Sequence, residues 1–204
     1  MKRFFVTGIG TGIGKTLVSA ILVEKLQADY WKPVQSGDLD NSDTDRVKSL
    51  VTNKTSIFHP EAYRLNQPFS PHKSAELDGI RINLNEIVLP ETSNNLIIEG
   101  AGGLMVPLNE RALIVDLIEK LDAGVILVSR NYLGSINHTL LAIELLKKRK
   151  IVIKALVFNG TPDPYSEDFI TQHSRINRIL RVPEIAEPDK KVIFEIAAKF
   201  AFDL

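Results

Sequence analysis

The sequence predicts an α/β fold: a doubly wound, mostly parallel sheet of the phosphate-loop nucleotide-hydrolase type. Three observations predict it. A glycine-rich stretch, Thr7-Gly8-Ile9-Gly10-Thr11-Gly12-Ile13-Gly14-Lys15-Thr16, lies between a short apolar run and a segment with helical periodicity. Continuous apolar runs recur at Leu96-Ile97-Ile98-Glu99, at Gly124 to Val128 and at Ile151 to Phe158, as suits parallel strands covered on both faces. Helical patterns around Ile114–Lys120 and Ser135–Lys148 separate those runs, which implies right-handed βαβ units.

The first strand is Phe4-Phe5-Val6, and Leu17, Val18, Ile21, Leu22 and Leu26 mark the helix after the glycine loop. In such a layout the glycines turn backbone N–H groups toward phosphate oxygens. The helix N-terminus adds partial positive charge, Lys15 reaches the terminal phosphates and the Thr16 hydroxyl can ligate Mg²⁺. The loop is a variant: Gly8 and Gly14 bracket five residues where the usual pattern has four.

A short strand is expected at Tyr30-Trp31-Lys32-Pro33-Val34. A polar loop from Gln35-Ser36-Gly37 through Asp38, Asp40 and Asn41 leads to a helix from about Asp43 to Val51, capped by Ser42 or Asp43. Prolines 60, 68, 71 and 90 interrupt residues 52–90, where short helices are expected near Ser74–Asp78 and Leu84–Leu89. Asn66 to His72 reads as an ordered loop able to line a substrate site. The closing helix, Lys190 to Phe202, aligns Ile193, Ile196, Ala197 and Phe200 for docking on the core or on a partner subunit. Lys147-Lys148-Arg149-Lys150 ends a helix and complements its dipole.

At 204 residues one domain, 1–204, is expected. Lys+Arg and Asp+Glu are both 25, so neither nucleic acid nor an acidic membrane is an expected partner. No apolar run approaches the ~20 residues of a membrane helix, and the first strand begins too early for a cleaved leader. The absence of cysteine excludes disulfides, thiolate metal sites and cysteine nucleophiles, and is compatible with a cytoplasmic location.

Ligands of open parallel sheets sit beyond the carboxyl ends of the strands. That rule groups the glycine loop with Lys32, Ser36, Glu99 and its following Gly100-Ala101-Gly102-Gly103, and Asn159. Glu99 is a candidate Mg²⁺ ligand opposite Thr16. Asp43 is another, with Asp38, Asp40 and Asp45 as competitors. Lys32 is a candidate second cation at a transferred group. His59, His72, His138 and His173 lack metal-ligand spacing.

Several blocks resemble the dethiobiotin synthetase family: Phe5 to Thr16 with its five-residue spacing, Trp31 to Gly37, Asn41-Ser42-Asp43, Ser70-Pro71-His72, Glu99 to Gly103, and Leu133-Gly134-Ser135-Ile136-Asn137-His138. They stand in family order across most of the chain. The resemblance implies that 7,8-diaminononanoate, CO₂ and ATP with Mg²⁺ become dethiobiotin, ADP and phosphate. By position, Thr11, Lys15, Lys32 and Ser36 would surround a carbamate and the γ-phosphate, with Lys32 catalytic. Thr16, Asp43 and Glu99 would ligate Mg²⁺. Gly12, Ile13, Gly14, Lys15, Thr16 and Leu17, with Gly100, Ala101 and Gly102, would hold the phosphates. Asn159, Gly160, Val182, Pro183 and Glu184 would contact adenine. Leu133, Gly134 and Asn137 would reach the substrate tail from the other subunit of a homodimer.

Two features depart from the family: Gly12 stands where some members carry Glu, and the C-terminal adenine region is short and loosely matched. Alternatives are another ATP-dependent synthetase of the superfamily, a dimeric partition-type switch ATPase, and a nucleotide-binding module without turnover. The switches usually carry an extra lysine early in the loop, where this chain has Gly10.

Overall fold

The computed structural model describes residues 1–202. Seven strands form the main sheet. They are β1 (Arg3–Gly8), β2 (Asp29–Trp31), β4 (Phe58–His59), β6 (Leu96–Gly103), β7 (Gly124–Ser129), β8 (Ile153–Asn159) and β9 (Ile179–Val182). Their order is β4-β2-β6-β1-β7-β8-β9, and every pairing is parallel. Two further strands, β3 (Val34–Ser36) and β5 (Tyr63–Leu65), pair in parallel with each other apart from this sheet.

The apolar runs alternate between two cores, one on each face. Phe5, Ile98, Val125, Leu127, Leu156 and Phe158 join residues of α4 (Ile114–Leu121), α5 (Ser135–Lys148) and α6 (Pro164–Ser174). Phe4, Val6, Ile97, Ile126, Val128 and Val157 join α1 (Lys15–Leu26), α2 (Asp43–Leu50) and α7 (Lys190–Lys199). Residues one apart on a strand therefore serve opposite layers, which is why the central strands carry no polar alternation. The closing helix docks on the chain's own core through Ile193 and Ala197, with Phe200 at its end.

The structure corrects some expectations. The strand foreseen at 30–34 is two strands in two sheets, broken at Lys32-Pro33, because proline has no N–H to continue the ladder. The strand carrying Glu99 does not stop there but runs on to Gly103. The helix from Asp43 ends at Leu50, and Ser42 is its cap: Ser42 Oγ accepts from Asp45 N, while Asp45 accepts from Ser42 N. In residues 52–90, α3 (Pro71–Leu77) begins earlier than foreseen and a single 3₁₀ turn occupies Leu84–Glu86. The elements β4, β5, α6 and β9 were not foreseen.

Candidate functional site

The site lies at the carboxyl end of the sheet. There α1 begins immediately after the glycine loop, with Gly14 at φ 94° as its N-cap. A side chain at Gly14 would put Cβ 2.1 Å from Asn159 Nδ2, so glycine is required by both the backbone and the neighbour. Asn159, at the end of β8, donates from Nδ2 to the Ile13 carbonyl at 2.8 Å and braces the loop from behind. Lys15 Nζ donates to the Gly10 carbonyl at 2.9 Å. Burial draws the Lys15 pKa down to about 8; Glu99 opposes that shift, Lys32 adds to it and Asp43 opposes it.

The loop borders a cleft of about 930 Å³ that also receives Lys32, Ser36, Asp43, Glu99, Ala101 and Gly102. The register of β2 against β6 sets Tyr30 beside Ile97 and Trp31 beside Ile98, which brings Lys32 toward Glu99. Lys32 Nζ pairs with Asp43 Oδ2 and lies 3.3 Å from Glu99 Oε1. Thr16 Oγ1 donates to Glu99 Oε1 at 2.9 Å and to Asp43 Oδ1 at 3.2 Å. Burial opposes the charge on Lys32, yet Glu99 and Asp43 outweigh it and hold its pKa above the ordinary value. Burial likewise opposes the charge on Asp43, but Lys32, Thr16 and Arg46 draw its pKa down.

The four aspartates of 38–45 are distinguished by geometry. Asp38 pairs with Arg46 at the surface, Asp40 is exposed, and Asp45 is engaged in the helix cap. Asp43 alone of the four meets Thr16 and Lys32. Two carboxylates and a hydroxyl thus converge on one point, already bridged by an ammonium. This donor set fits Mg²⁺, which needs only one or two carboxylates besides phosphate and water oxygens. Among the described residues no group of three or more His, Asp or Glu forms a fuller metal cage.

Thr11 and Gly12 are exposed at the mouth of the cleft, and Thr11 Oγ1 approaches the backbone at Gly102. Ser36 Oγ is buried without a hydrogen-bond partner among the described residues, while its residue lines the cleft. Leu17 lines the cleft beside Thr16; Ile13 is buried beneath the loop, and the Gly100 carbonyl is 3.5 Å from Lys32 Nζ. Gly160, Val182, Pro183 and Glu184 lie outside the cleft lining. Gly160 N donates to Val182 O, and Glu184 pairs with Arg130 at 2.8 Å beside Gly160. Leu133, Gly134 and Asn137 are not in the cleft either: they are exposed around the start of α5.

The loop expected to line a substrate site does so through Pro68, Phe69, Ser70 and Pro71, whereas two residues not singled out in the sequence are Arg46, which also lines the cleft, and Gln35, whose Oε1 accepts from Asp43 N at 3.3 Å. Sequence reasoning also missed the role of Tyr30, whose hydroxyl donates to Glu99 Oε2 at 3.0 Å. Burial first, then the charge of Glu99, keeps this phenol protonated far above its usual range. The available signal for Tyr30 was its position two residues before Lys32 in the strand expected at 30–34, hence on the same face.

A larger hollow of about 1050 Å³ opens at the other end of the sheet, lined by Lys2, Arg3, Lys147, Lys150, Lys154 and Arg175. Helices α4, α5 and α6 end beside it, and cations there complement the negative ends of the helix dipoles. The convergent carboxylates, hydroxyl and buried lysines are all in the first cleft.

A family model described as "AAA domain" matches residues 2–191. The ATP-dependent dethiobiotin synthetase BioD of Christiangramia forsetii is 54% identical over 199 residues, covering 98% of this chain and 96% of that protein. The chain belongs to the dethiobiotin synthetase family. The ATP-dependent dethiobiotin synthetase BioD of Cytophaga hutchinsonii is 50% identical, covering 100% of this chain and 97% of the relative. Membership makes the chain an ATP-dependent ligase and assigns the phosphate loop to ATP. Among solved structures, a ParA family ATPase from Chlorobium tepidum superimposes with a TM-score of 0.59 at 15% identity, covering 97% of this chain and 99% of that one. The cell division ATPase MinD of Pyrococcus furiosus gives 0.56 at 14% identity, covering 98% of both chains. These neighbours share the fold of this chain.

Proposed function

We propose that the chain closes the ureido ring of dethiobiotin from 7,8-diaminononanoate and CO₂, at the expense of ATP. The observation that carries the site assignment is the Lys32 ammonium set between Asp43 and Glu99, beside Thr16 and the phosphate loop. In the first step one amine of the diamine adds to CO₂ and loses a proton, giving a carbamate. A carbamate oxygen then attacks the γ-phosphorus and ADP leaves. The second amine attacks the carbamoyl carbon of the resulting mixed anhydride, and phosphate departs with that oxygen. The product is the diamine plus CO₂ minus water.

Both reacting partners are anionic, so the site must hold them together and offset their charge. Lys15 and Lys32 supply two cations that the cleft already holds in low-dielectric surroundings. Thr11 at the loop mouth and the unpartnered Ser36 hydroxyl suit the carbamate oxygens. Gly12 to Leu17 and Gly100 to Gly102 present backbone to the phosphates. Thr16, Asp43 and Glu99 would hold Mg²⁺, which when bound neutralises phosphate charge and orients the triphosphate. Asn159, Gly160, Val182, Pro183 and Glu184 would contact adenine; of these, Asn159 reaches the loop through its bond to the Ile13 carbonyl.

Leu133, Gly134 and Asn137 would serve the substrate tail across a homodimer, which is consistent with their exposure away from their own cleft. A cytoplasmic location suits this chemistry; no helix among the described residues is long and apolar enough to cross a membrane. Incubation with ATP, Mg²⁺, bicarbonate and the diamine should yield, by mass spectrometry, a product heavier than the diamine by CO₂ less water. Phosphate release without that product would overturn the proposal.

A further inference from the structure

We propose that Tyr30 is a positioning residue that fixes which oxygen of Glu99 faces the cation site. The inference rests on the cation role proposed above for Glu99. Tyr30 is fully buried in β2, its ring tilted against Phe58 with centroids 6.1 Å apart. Its hydroxyl donates to Glu99 Oε2 at 3.0 Å. The other oxygen, Oε1, takes Thr16 Oγ1 at 2.9 Å and stands 3.3 Å from Lys32 Nζ.

The two oxygens of one buried carboxylate are thereby divided between a packed phenol and the open cleft. The terminal torsion of a glutamate is soft and nearly two-fold, so packing of the stem alone does not choose between its oxygens. A hydroxyl on a ring wedged in the core does, because it can move only with the core. Glu99 then offers one aimed oxygen to a cation rather than rotating to satisfy both of its own. Hydrogen bonds of this kind, behind a metal ligand, typically change metal affinity ~10-fold or more when removed.

The substitution Tyr30→Phe deletes one oxygen and keeps the ring. Mn²⁺ titrated into ADP-saturated protein, with free Mn²⁺ read by electron paramagnetic resonance, measures the effect without turnover. Tyr30→Phe should bind Mn²⁺ ~10-fold more weakly than the unsubstituted protein. In a Glu99→Gln background the same change should have almost no effect, because Tyr30 acts through that carboxylate. Wild-type affinity in Tyr30→Phe, or a full ~10-fold loss persisting in the double variant, would overturn the inference.

If Tyr30→Phe does not fold, 3-fluorotyrosine at position 30 replaces it. Its ¹⁹F resonance should move when Mg²⁺ is added to the ADP complex and stay fixed in Glu99→Gln; a fixed resonance with Glu99 present would overturn the inference. Mn²⁺ binding indifferent to Glu99→Gln would instead refute the cation site itself. Tyr30-sensitive binding in a protein that makes no dethiobiotin would refute only the proposed reaction.

Discussion

Lys32→Ala tests the site most economically, because the structure gives this lysine two separable roles. In the cleft it is the counter-ion of Glu99, 1% exposed, and of the partly buried Asp43. Removing one partner of a buried ion pair typically costs about 3–5 kcal/mol. Asp43 keeps the Arg46 guanidinium at 3.9 Å and some access to water, so the lower end, about 3 kcal/mol, applies here. For a chain of this size that is a fall in melting temperature of about 6–12 °C. Millimolar Mg²⁺ should restore part of it, and should raise the variant's melting temperature more than the parent's, because the metal takes the place of the missing ammonium. Turnover should still fall by about 10²–10³, the usual loss when one preorganised donor to a developing charge is deleted. The assay is a thermal melt with and without Mg²⁺ beside a rate measurement. Unchanged melting without metal, equal Mg²⁺ increments in both proteins, or near-normal rates would refute the reasoning.

Three further outcomes follow from the geometry. Gly14→Ala should destabilise the loop and abolish nucleotide binding, since its Cβ would meet Asn159 Nδ2 at 2.1 Å and its φ is 94°. Adding Asn159→Ala should relieve the collision but leave the backbone strain of about 1–2 kcal/mol, and denaturant melts of equal midpoint for both proteins would contradict this. Asp29 is buried, which raises its pKa, but hydrogen bonds from Thr92, Ile57, His59 and Asn94 outweigh that and hold it below the usual carboxylate value. Its contribution is therefore present above the unfolded pKa and lost as pH falls through the depressed one, so Asp29→Asn should cost about 1–3 kcal/mol at pH 7 and progressively less in acid; a gap independent of pH would refute the assignment. Asn137→Ala should raise KM for the diamine several-fold with little change in kcat if its amide serves the partner's cleft. A strictly monomeric protein with full activity would rule that role out.

Most of the fold was legible because the central strands are buried on both faces and so read as unbroken apolar runs, as β7 and β8 do. The phosphate loop was legible because its chemistry is local: glycines, lysine and threonine act within ten residues. The short strands β3 and β5 were not, because Val34–Ser36 and Tyr63–Leu65 mix polar and apolar residues and pair with each other apart from the main sheet. Helix α6 carries Tyr165 and Phe169 on its exposed side, which blurs its apolar stripe. Within the site, the strand-end rule already grouped Lys32 with Glu99, but their direct contact across 67 positions follows from pairing β2 with β6. The choice of Asp43 over its neighbours depended on which carboxylate the Ser42 cap consumed, and the bond from Tyr30 to Glu99 follows only once that register is known.

In the proposed reaction ATP is cleaved in order to activate a carbamate. Phosphate release from Mg-ATP and bicarbonate, measured with and without 7,8-diaminononanoate, tests it most directly. Release is expected only when the diamine is present, one phosphate for each ring closed. Equal release in its absence would contradict it and point to a nucleotide-driven switch.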